Sequence, residues 1–204
     1  MTHDELDIAY PQYHCPLCGE ELPLVDARLT ITCSKHLSEE RSVDYSIRPA
    51  KESDLSAVED ICDRALGETD VDVFGTSFDV LATDNLLATA GDELLGLCSL
   101  TVHGGDLAIV LLSVYPDAQG LGVGRVLVEA AVGVAEKRSL AFIKAAVTND
   151  DIPSLYFFLR LGFVVDDIAI GAVADSLGGA SPGFSGIPIR DEIRLKRPAC
   201  VAGA

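Results

Sequence analysis

The chain has 204 residues, of which 49% are hydrophobic, and it carries a formal net charge of -17. This length is enough for one sizeable core and a small additional module. The acidic balance disfavours binding to nucleic acid and favours cationic partners such as amines. No apolar run long enough to span a membrane occurs, and the N-terminus lacks the pattern of a signal peptide. We therefore expect a cytoplasmic protein without membrane contact.

Cysteine spacing defines the first predicted module, residues 1–41. Cys15 and Cys18 form one CxxC pair, and Cys33 with His36 forms a second pair after a spacer of fourteen residues. Two chelating pairs at this spacing are typical of structural zinc sites with four protein ligands. The alternatives are His14 in place of His36, a redox CxxC, or unrelated thiols. We predict a zinc-ribbon-like module that holds structural Zn²⁺, because so short a segment needs a metal ion or another cross-link to fold.

The second predicted domain spans residues 42–204 and alternates short apolar strands with amphipathic helices. The predicted strands cover residues 45–48, 86–90, 94–102, 107–114, 141–147, 163–170 and 189–196, and the predicted helices cover residues 53–66, 124–138 and 153–161. The meander of strands 86–90, 94–102 and 107–114 is antiparallel, and from its last strand onward the order is strand, helix, strand, helix and strand, with one more strand after residue 188. Residues 68–84 give a weak signal, which we interpret as a short helix over 77–81 that lines a cleft. Residues 171–188 are rich in Gly, Ser and Pro and predict a loop.

A glycine-rich run lies between the strand that ends at Val114 and the following helix. It consists of Gln119, Gly120, Leu121, Gly122, Val123, Gly124 and Arg125. Glycines at a helix N-terminus let backbone N–H groups approach an anion such as a phosphate. The alternatives are a plain turn, a Walker A loop and a dinucleotide-binding loop. A Walker A loop needs a Lys followed by Ser or Thr, which is missing, and the next strand-end acids lie too far along the chain for a dinucleotide-binding loop.

The run and its downstream landmarks resemble the GNAT acetyltransferase superfamily. Gln119, Gly122 and Gly124 match the phosphate signature of that family. Asn149 follows the next strand, Tyr156 comes seven residues later, and Gly162-Phe163 follows. The resemblance covers about residues 45–197 and implies an α/β GNAT fold with a mixed central sheet flanked by helices, preceded here by the zinc-ribbon-like module. The insertion at 171–188 and the N-terminal module depart from the family pattern.

The resemblance also implies roles in acetyl transfer. The glycine-rich run would bind the pyrophosphate of acetyl-CoA, and backbone groups of Leu112, Ser113 and Val114, with those of residues 145–147, would bind the pantetheine arm. Tyr156 is the candidate proton donor to the thiolate, since a phenol of pKa about 10 can protonate the anion of a thiol of pKa about 8.5. The alternative for Tyr156 is packing. Asn149 either binds the pantetheine or caps the next helix.

The remaining polar residues do not identify the general base. Glu68, Asp70, Asp72 and Asp106 are candidates, and the acceptor proton could also leave through ordered water. His103 lies in a predicted turn and is expected at the surface.

The implied function is transfer of an acetyl group from acetyl-CoA to a primary amine, which could be a peptide N-terminus, a lysine or a small amine. The alternative is a non-catalytic protein that binds CoA or uses the zinc-ribbon for protein interaction. The sequence leaves the oligomeric state open; a homodimer is one candidate, because dimers are the commonest closed oligomers.

Overall fold

The computed structural model describes residues 13–14, 21–22 and 44–199. The chain divides into two compact units, Met1–Ser42 and Val43–Ala204. In the first unit, β1 (Tyr13–His14) pairs antiparallel with β2 (Glu21–Leu22). The four predicted zinc ligands, Cys15, Cys18, Cys33 and His36, lie outside the described residues.

The second unit contains the remaining elements. The helices are α1 (Leu55–Ala65), α2 (Val123–Lys137), α3 (Ile152–Arg160) and α4 (Ala172–Ser176). The strands are β3 (Ser46–Pro49), β4 (Asp70–Val73), β5 (Thr76–Asp79), β6 (Asp84–Ala90), β7 (Glu93–His103), β8 (Asp106–Val114), β9 (Phe142–Thr148), β10 (Val164–Ala169), β11 (Ser181–Pro182), β12 (Pro188–Ile189) and β13 (Glu192–Pro198). Single turns of 3-10 helix occur at Glu52–Asp54, Val80–Ala82, Pro116–Ala118 and Phe184–Gly186.

A seven-stranded sheet forms the centre of this unit, in the order β10-β13-β9-β8-β7-β6-β3. All neighbours in it are antiparallel except β8 and β9, which run parallel. A parallel pair requires a crossover, and α2 provides it. The sheet is therefore the mixed central sheet that the sequence predicts.

Helices cover both faces of the sheet because its buried strands carry apolar residues on both sides. Leu86 and Ala88 of β6 pack in the core beneath α2, whereas Leu87 between them packs in the core beneath α1. On α2, Leu127 and Ala131 are four residues apart and fully buried, so one stripe of the helix faces the sheet.

The weak-signal segment at 68–84 is a β-hairpin, so the prediction of a helix over 77–81 is wrong. β4 and β5 pair antiparallel across a two-residue turn formed by Phe74 and Gly75. Both turn residues have positive φ, 56° and 72°, as a tight hairpin turn with the strand twist requires. The strand residues alternate instead of following a helical period, and Val73 is buried in the α1 core.

Two further expectations change in the structure. His103 is half-buried at the end of β7, where its ring lies 5.9 Å from that of Phe74 and 5.7 Å from that of Phe78. It therefore packs against the β4–β5 hairpin and is not a free surface residue.

The predicted loop at 171–188 contains α4 and the ribbon formed by β11 and β12. The other predicted strands and helices are present, with ends shifted by a few residues.

Two other properties of the described residues bear on function. None of their helices combines the length and the apolar character needed to cross a membrane. Within the same residues, no three His, Cys, Asp or Glu side chains are grouped so that they could hold a metal ion.

Candidate functional site

The central sheet opens between its two parallel strands. β8 and β9 pair only at Leu107 with Ile143 and at Ala108 with Lys144. Beyond this point β8 stays paired with β7 as far as Val114, and β9 stays paired with β13 along its length. The facing edges of the two strands therefore carry backbone N–H and C=O groups that the sheet does not pair.

A β-bulge explains why β8 turns away from β9. Ser99 of β7 is opposite Leu111, but the next residue, Leu100, is opposite Ile109. Val110 is thus an extra residue in β8, and an extra residue bends the strand that carries it. The pairing with β9 ends at Ala108, just before the bulge.

A cavity of about 470 Å³ occupies the opening. Ile109–Ser113 of β8 and Ala145–Thr148 of β9 line its sides. Ser154 and Phe158 of α3 line one end, and Val71–Val73 of β4 line the other. Since α3 and β4 cover opposite faces of the sheet, the cavity passes from one face to the other. Leu112 and Ser113 are among the predicted cofactor contacts that line it, whereas Val114 does not.

The glycine-rich run joins β8 to α2. Gly120 and Gly122 have φ of 77° and 81°, and Leu121 between them does not share this conformation. Alternation of left- and right-handed residues forms a concave backbone surface that binds anions. The first backbone hydrogen bond of α2 runs from Val126 N–H to the Gly122 carbonyl, so the N–H groups of Val123, Gly124 and Arg125 have no partner within the helix. The loop therefore suits a phosphate.

The outer residues of this run have structural roles of their own. The side-chain amide of Gln119 donates to the Val114 carbonyl oxygen at 3.1 Å and so closes the turn after β8. A Cβ atom on Gly124 would lie 3.4 Å from the ring of Phe157. An alanine would therefore fit here in ordinary van der Waals contact with α3. Arg125 is exposed in the first turn of α2.

Asn149 holds the segment that precedes β13. Its Oδ1 accepts hydrogen bonds from the N–H groups of Arg190 and Asp191, at 2.8 and 2.9 Å, and its Nδ2 donates to the Pro188 carbonyl at 3.0 Å. The expectation that Asn149 caps the next helix is wrong, because Asp151 caps α3 by accepting from the Ser154 N–H at 3.0 Å.

Asp150 holds another part of the insertion at residues 171–188. Its carboxylate is 6% exposed and accepts from the Thr148 hydroxyl at 2.5 Å and from the Phe184 N–H at 2.9 Å. Burial by itself raises the pKa of Asp150, but these two hydrogen bonds and one from its own backbone N–H outweigh burial, and the pKa is lowered. Asp150 is thus held as a carboxylate that ties Phe184 to the end of β9.

The structure does not bring Tyr156 to the cavity. Its side chain is 46% exposed, and the guanidinium of Arg160 lies 6.0 Å from its ring. Ser154 and Phe158, which do line the cavity, are four residues apart and share one face of α3. Tyr156 lies midway between them, about 200° around the helix from each. Phe158, which has no hydroxyl group to donate, therefore lines the cavity, and the expected donor Tyr156 does not.

Acidic residues line both ends of the cavity, with Asp151 at the α3 end. Of the four candidate bases, Asp72 lines the cavity. Asp106 instead forms an ion pair with Lys144 at 2.6 Å, and Glu68 and Asp70 do not line the cavity. Glu192, which the sequence analysis missed, also lines it and is 7% exposed. A carboxylate near the start of a strand has no local signature, so only its three-dimensional neighbours identify it.

An open parallel strand pair, with a glycine loop and a helix N-terminus following the first strand, defines an acyltransferase-type fold. The model of the acetyltransferase (GNAT) family matches residues 54–163, more than half of the chain. The chain therefore belongs to the GNAT acetyltransferase family.

The chain is also similar to an individual protein without an assigned activity. Over 92 residues the chain is 32% identical to the uncharacterized protein YxbD of Bacillus subtilis, a match that covers 43% of this chain and 58% of that protein. The chain thus spans little more than half of that relative's length.

Solved structures share the fold at low sequence identity. A GNAT family acetyltransferase from Elizabethkingia anophelis with acetyl-CoA bound has a TM-score of 0.60 and 18% identity, covering 77% of this chain and 99% of its own. A Bacillus subtilis acetyltransferase in complex with CoA has a TM-score of 0.56 and 24% identity, covering 76% and 99%. An IAA acetyltransferase from Bacillus cereus has a TM-score of 0.58 and 19% identity, covering 76% and 99%.

Proposed function

We propose that this chain transfers the acetyl group of acetyl-CoA to a primary amine. The observation that carries the proposal is the cavity through the open β8–β9 edge, which connects the α3 side of the sheet with the β4 side, where we place the acceptor. Solved structures of the same fold with acetyl-CoA or CoA bound support acetyl-CoA as the co-substrate.

The proposed binding mode uses mainly backbone groups. The pyrophosphate of acetyl-CoA accepts hydrogen bonds from the N–H groups between Gly120 and Arg125, with the N-terminus of α2 behind them. The pantetheine arm pairs with the open edges of β8 and β9, near Leu112 and Ser113 and near residues 145–147. A backbone N–H in this opening polarises the thioester carbonyl. Asn149 acts on the pantetheine only indirectly in this scheme, because its amide already binds residues 188–191.

Asp72 is the proposed general base. An acceptor amine is mainly protonated at neutral pH and must lose a proton before it attacks. Asp72 accepts this proton directly or through water, and the amine nitrogen then bonds to the thioester carbonyl carbon. The carbon–sulfur bond breaks, and the thiolate of CoA takes up a proton. Tyr156 as the donor of that last proton remains a prediction from the sequence, which its exposed position does not favour.

A CoA-release assay across a panel of primary amines tests the proposal. We expect release that depends on one class of amine, and we expect Asp72→Asn to lower kcat by about 100-fold or more, as removal of a general base does. Asp70→Asn is the matched control, since Asp70 is an exposed acid on the same strand that does not line the cavity. Equal activity of both variants would remove Asp72 from the mechanism.

A non-catalytic CoA-binding protein is the second candidate. The observation that favours it is Phe158 in the cavity in place of a phenol donor. Binding of acetyl-CoA in a calorimeter without CoA release from any amine would support this second function over the first.

For the N-terminal unit we propose a structural zinc site formed by Cys15, Cys18, Cys33 and His36. The support is the ligand spacing, together with the position of the CxxC pair in the connection between β1 and β2. Elemental analysis should find about one zinc per chain. Purified protein without zinc, in which all the thiols of this unit react freely, would refute the site.

A further inference from the structure

Hydroxyl groups are the side-chain hydrogen-bond donors that line the cavity through the open β8–β9 edge. Of the described residues that line it, none is Lys, Arg, His, Tyr, Asn, Gln or Cys. The residues with a hydroxyl group are Ser113 of β8, Thr148 of β9 and Ser154 of α3. Within the part of the chain that the structure describes, a side-chain donor to a group in this cavity is therefore one of these three.

Two of the three hydroxyl groups are committed elsewhere or lie on the other face. Thr148 already donates to the Asp150 carboxylate at 2.5 Å. Ser113 alternates along β8 with Leu112 and Val114, which pack against the core beneath α2. Its side chain therefore points to the opposite face of the sheet, which β4 covers.

The hydroxyl group of Ser154 is uncommitted. Its backbone N–H donates to Asp151 Oδ1 at 3.0 Å, which fixes the residue in the first turn of α3. Its Oγ has no hydrogen-bond partner among the described residues, and none of their fully buried side-chain polar atoms lacks a partner. The Ser154 hydroxyl is therefore accessible, and it lines the α3 end of the cavity.

The direction of the proposed reaction places the sulfur of CoA on the same side as Ser154. The glycine-rich run lies at the N-terminus of α2, and α2 and α3 cover the same face, since Leu127 and Phe158 share one core. The pantetheine arm therefore enters the opening from the α3 face. The amine approaches from the β4 face, where Asp72 lies. The carbonyl carbon is between the two, and the sulfur bonded to it faces α3.

The surroundings of the sulfur disfavour a thiolate that has no donor. Asp151 and the apolar Phe158 line this end of the cavity, and no cationic side chain of the described residues lines it. An acidic neighbour and an apolar neighbour both disfavour an anion. A hydrogen bond to the sulfur is therefore effective here, because bonds to charged groups are stronger than those between neutral groups.

We propose that the Ser154 hydroxyl donates a hydrogen bond to the sulfur of CoA and stabilises the thiolate as the carbon–sulfur bond breaks. The inference rests on the proposed acetyl transfer and makes Ser154, not Tyr156, the catalytic residue of α3. The electron pair of the broken bond goes to sulfur. Ser154 passes its proton to the sulfur and takes one from water. The acceptor ammonium group releases two protons in all, one that restores this water and one that goes to solvent.

Titration of bound CoA tests the hydrogen bond without any acceptor. A donor favours the charged form of the thiol. We expect the ultraviolet absorbance of the CoA thiolate to appear about one pH unit lower in the wild-type complex than in the Ser154→Ala complex, since one unit is a tenfold change in equilibrium. Ser154→Thr keeps the hydroxyl group and should titrate like the wild type. Spectra of each protein without CoA subtract the protein's own thiols.

Steady-state CoA release measures the same hydrogen bond during turnover. We expect Ser154→Ala to lower kcat about tenfold or more and to leave the KM for acetyl-CoA within about twofold, because the bond strengthens as charge develops on sulfur. Ser154→Thr should restore most of kcat. Ser176→Ala is the matched control, since it removes a hydroxyl group at a position that does not line this cavity. Both parameters should be unchanged in the control.

The outcomes separate this inference from the proposed function. Equal titration of CoA bound to the wild type and to Ser154→Ala overturns the inference, while acetyl transfer stands if amines still cause CoA release. A raised KM for acetyl-CoA with unchanged kcat in Ser154→Ala also overturns it, because Ser154 would then contact the pantetheine arm and not the sulfur. Absence of CoA release with every amine overturns the proposed function, whereas the titration of bound CoA still decides whether Ser154 meets the sulfur.

Discussion

At Gly96, the backbone of β7 runs directly against the end of β8. An added Cβ atom would lie 2.9 Å from the Ser113 carbonyl oxygen and 3.3 Å from Leu127 Cδ1. We expect Gly96→Ala to lower the free energy of unfolding by about 1 to 3 kcal/mol, because such overpacking forces β8 to shift. Urea unfolding measures the change.

Gly133 of α2 provides the control for this prediction. An added Cβ atom there meets no other atom within 4 Å, and the residue lies inside a helix. Gly133→Ala should therefore raise the free energy of unfolding by about 0.4 to 1 kcal/mol. If both variants changed stability equally, close contact at Gly96 would not be the cause.

The positions of Tyr156 and Phe158 on α3 lead to a prediction about catalysis. Tyr156 is exposed, whereas Phe158 lines the cavity. We expect Tyr156→Phe to change kcat by less than about threefold, whereas loss of a true proton donor costs about 100-fold or more. Steady-state CoA release measures kcat. A 100-fold fall in a folded Tyr156→Phe protein would show that the phenol does reach the thiolate.

At the scale of elements, the insertion between β10 and β13 is held by two adjacent residues at the end of β9. Asn149 makes three hydrogen bonds to the segment at 188–191. We expect Asn149→Ala to lower the free energy of unfolding by about 1 to 2 kcal/mol, since these groups are only partly shielded from water. Hydrogen exchange should quicken in residues 171–191.

Asn149→Asp is the matched variant for this prediction. An aspartate keeps an acceptor for the Arg190 and Asp191 N–H groups, but it replaces the donor to Pro188 by an oxygen that repels the Pro188 carbonyl. It should therefore retain more protection than Asn149→Ala and less than the wild type. Equal loss of protection in both variants would mean that the acceptor bonds do not hold the insertion.

Asp150 makes the anchoring of Phe184 dependent on pH. Its pKa is lower in the folded chain than in the unfolded chain, so ionised Asp150 stabilises the fold. That contribution is complete above the unfolded pKa of about 3.9 and is lost as the pH falls through the folded pKa. We expect the stability gap between wild type and Asp150→Asn to be constant from pH 5 to 7 and to shrink below about pH 4. Urea unfolding at several pH values measures the gap, and a gap independent of pH would exclude an ionised Asp150.

At the scale of the whole molecule, the net charge of -17 is the dominant property. Self-repulsion of this size destabilises the compact state, and salt screens it. We expect Tm to rise by about 2 to 4 °C between low and moderate salt, which corresponds to about 1 kcal/mol for a chain of this size. A Tm scan with sodium chloride and with potassium chloride checks this. A rise with only one of the salts would indicate specific ion binding and not screening.

Much of the fold and part of the site follow from local patterns in the sequence. Several features depend on neighbours along the chain. They are the apolar periods of α1 and α2, the order of the strands along the chain, and the glycine run between Gln119 and Arg125. Backbone conformation at Gly120 and Gly122 is likewise a local requirement, and it was predictable for that reason. The family assignment rests on these features and on the spacing of downstream landmarks.

Tertiary contacts decided the rest of the site. Tyr156 and Phe158 are both aromatic residues of one helix, and packing alone determined that Phe158 faces the cavity. The pairing of Phe74 with Glu192 joins residues 118 positions apart, and no local pattern records such a contact. The sequence by itself determined the glycine-rich loop, because a concave surface for an anion is formed by consecutive backbone groups. Only the tertiary structure assembled the β4 side of the cavity, because its walls come from β4, β13 and the segment that begins α4.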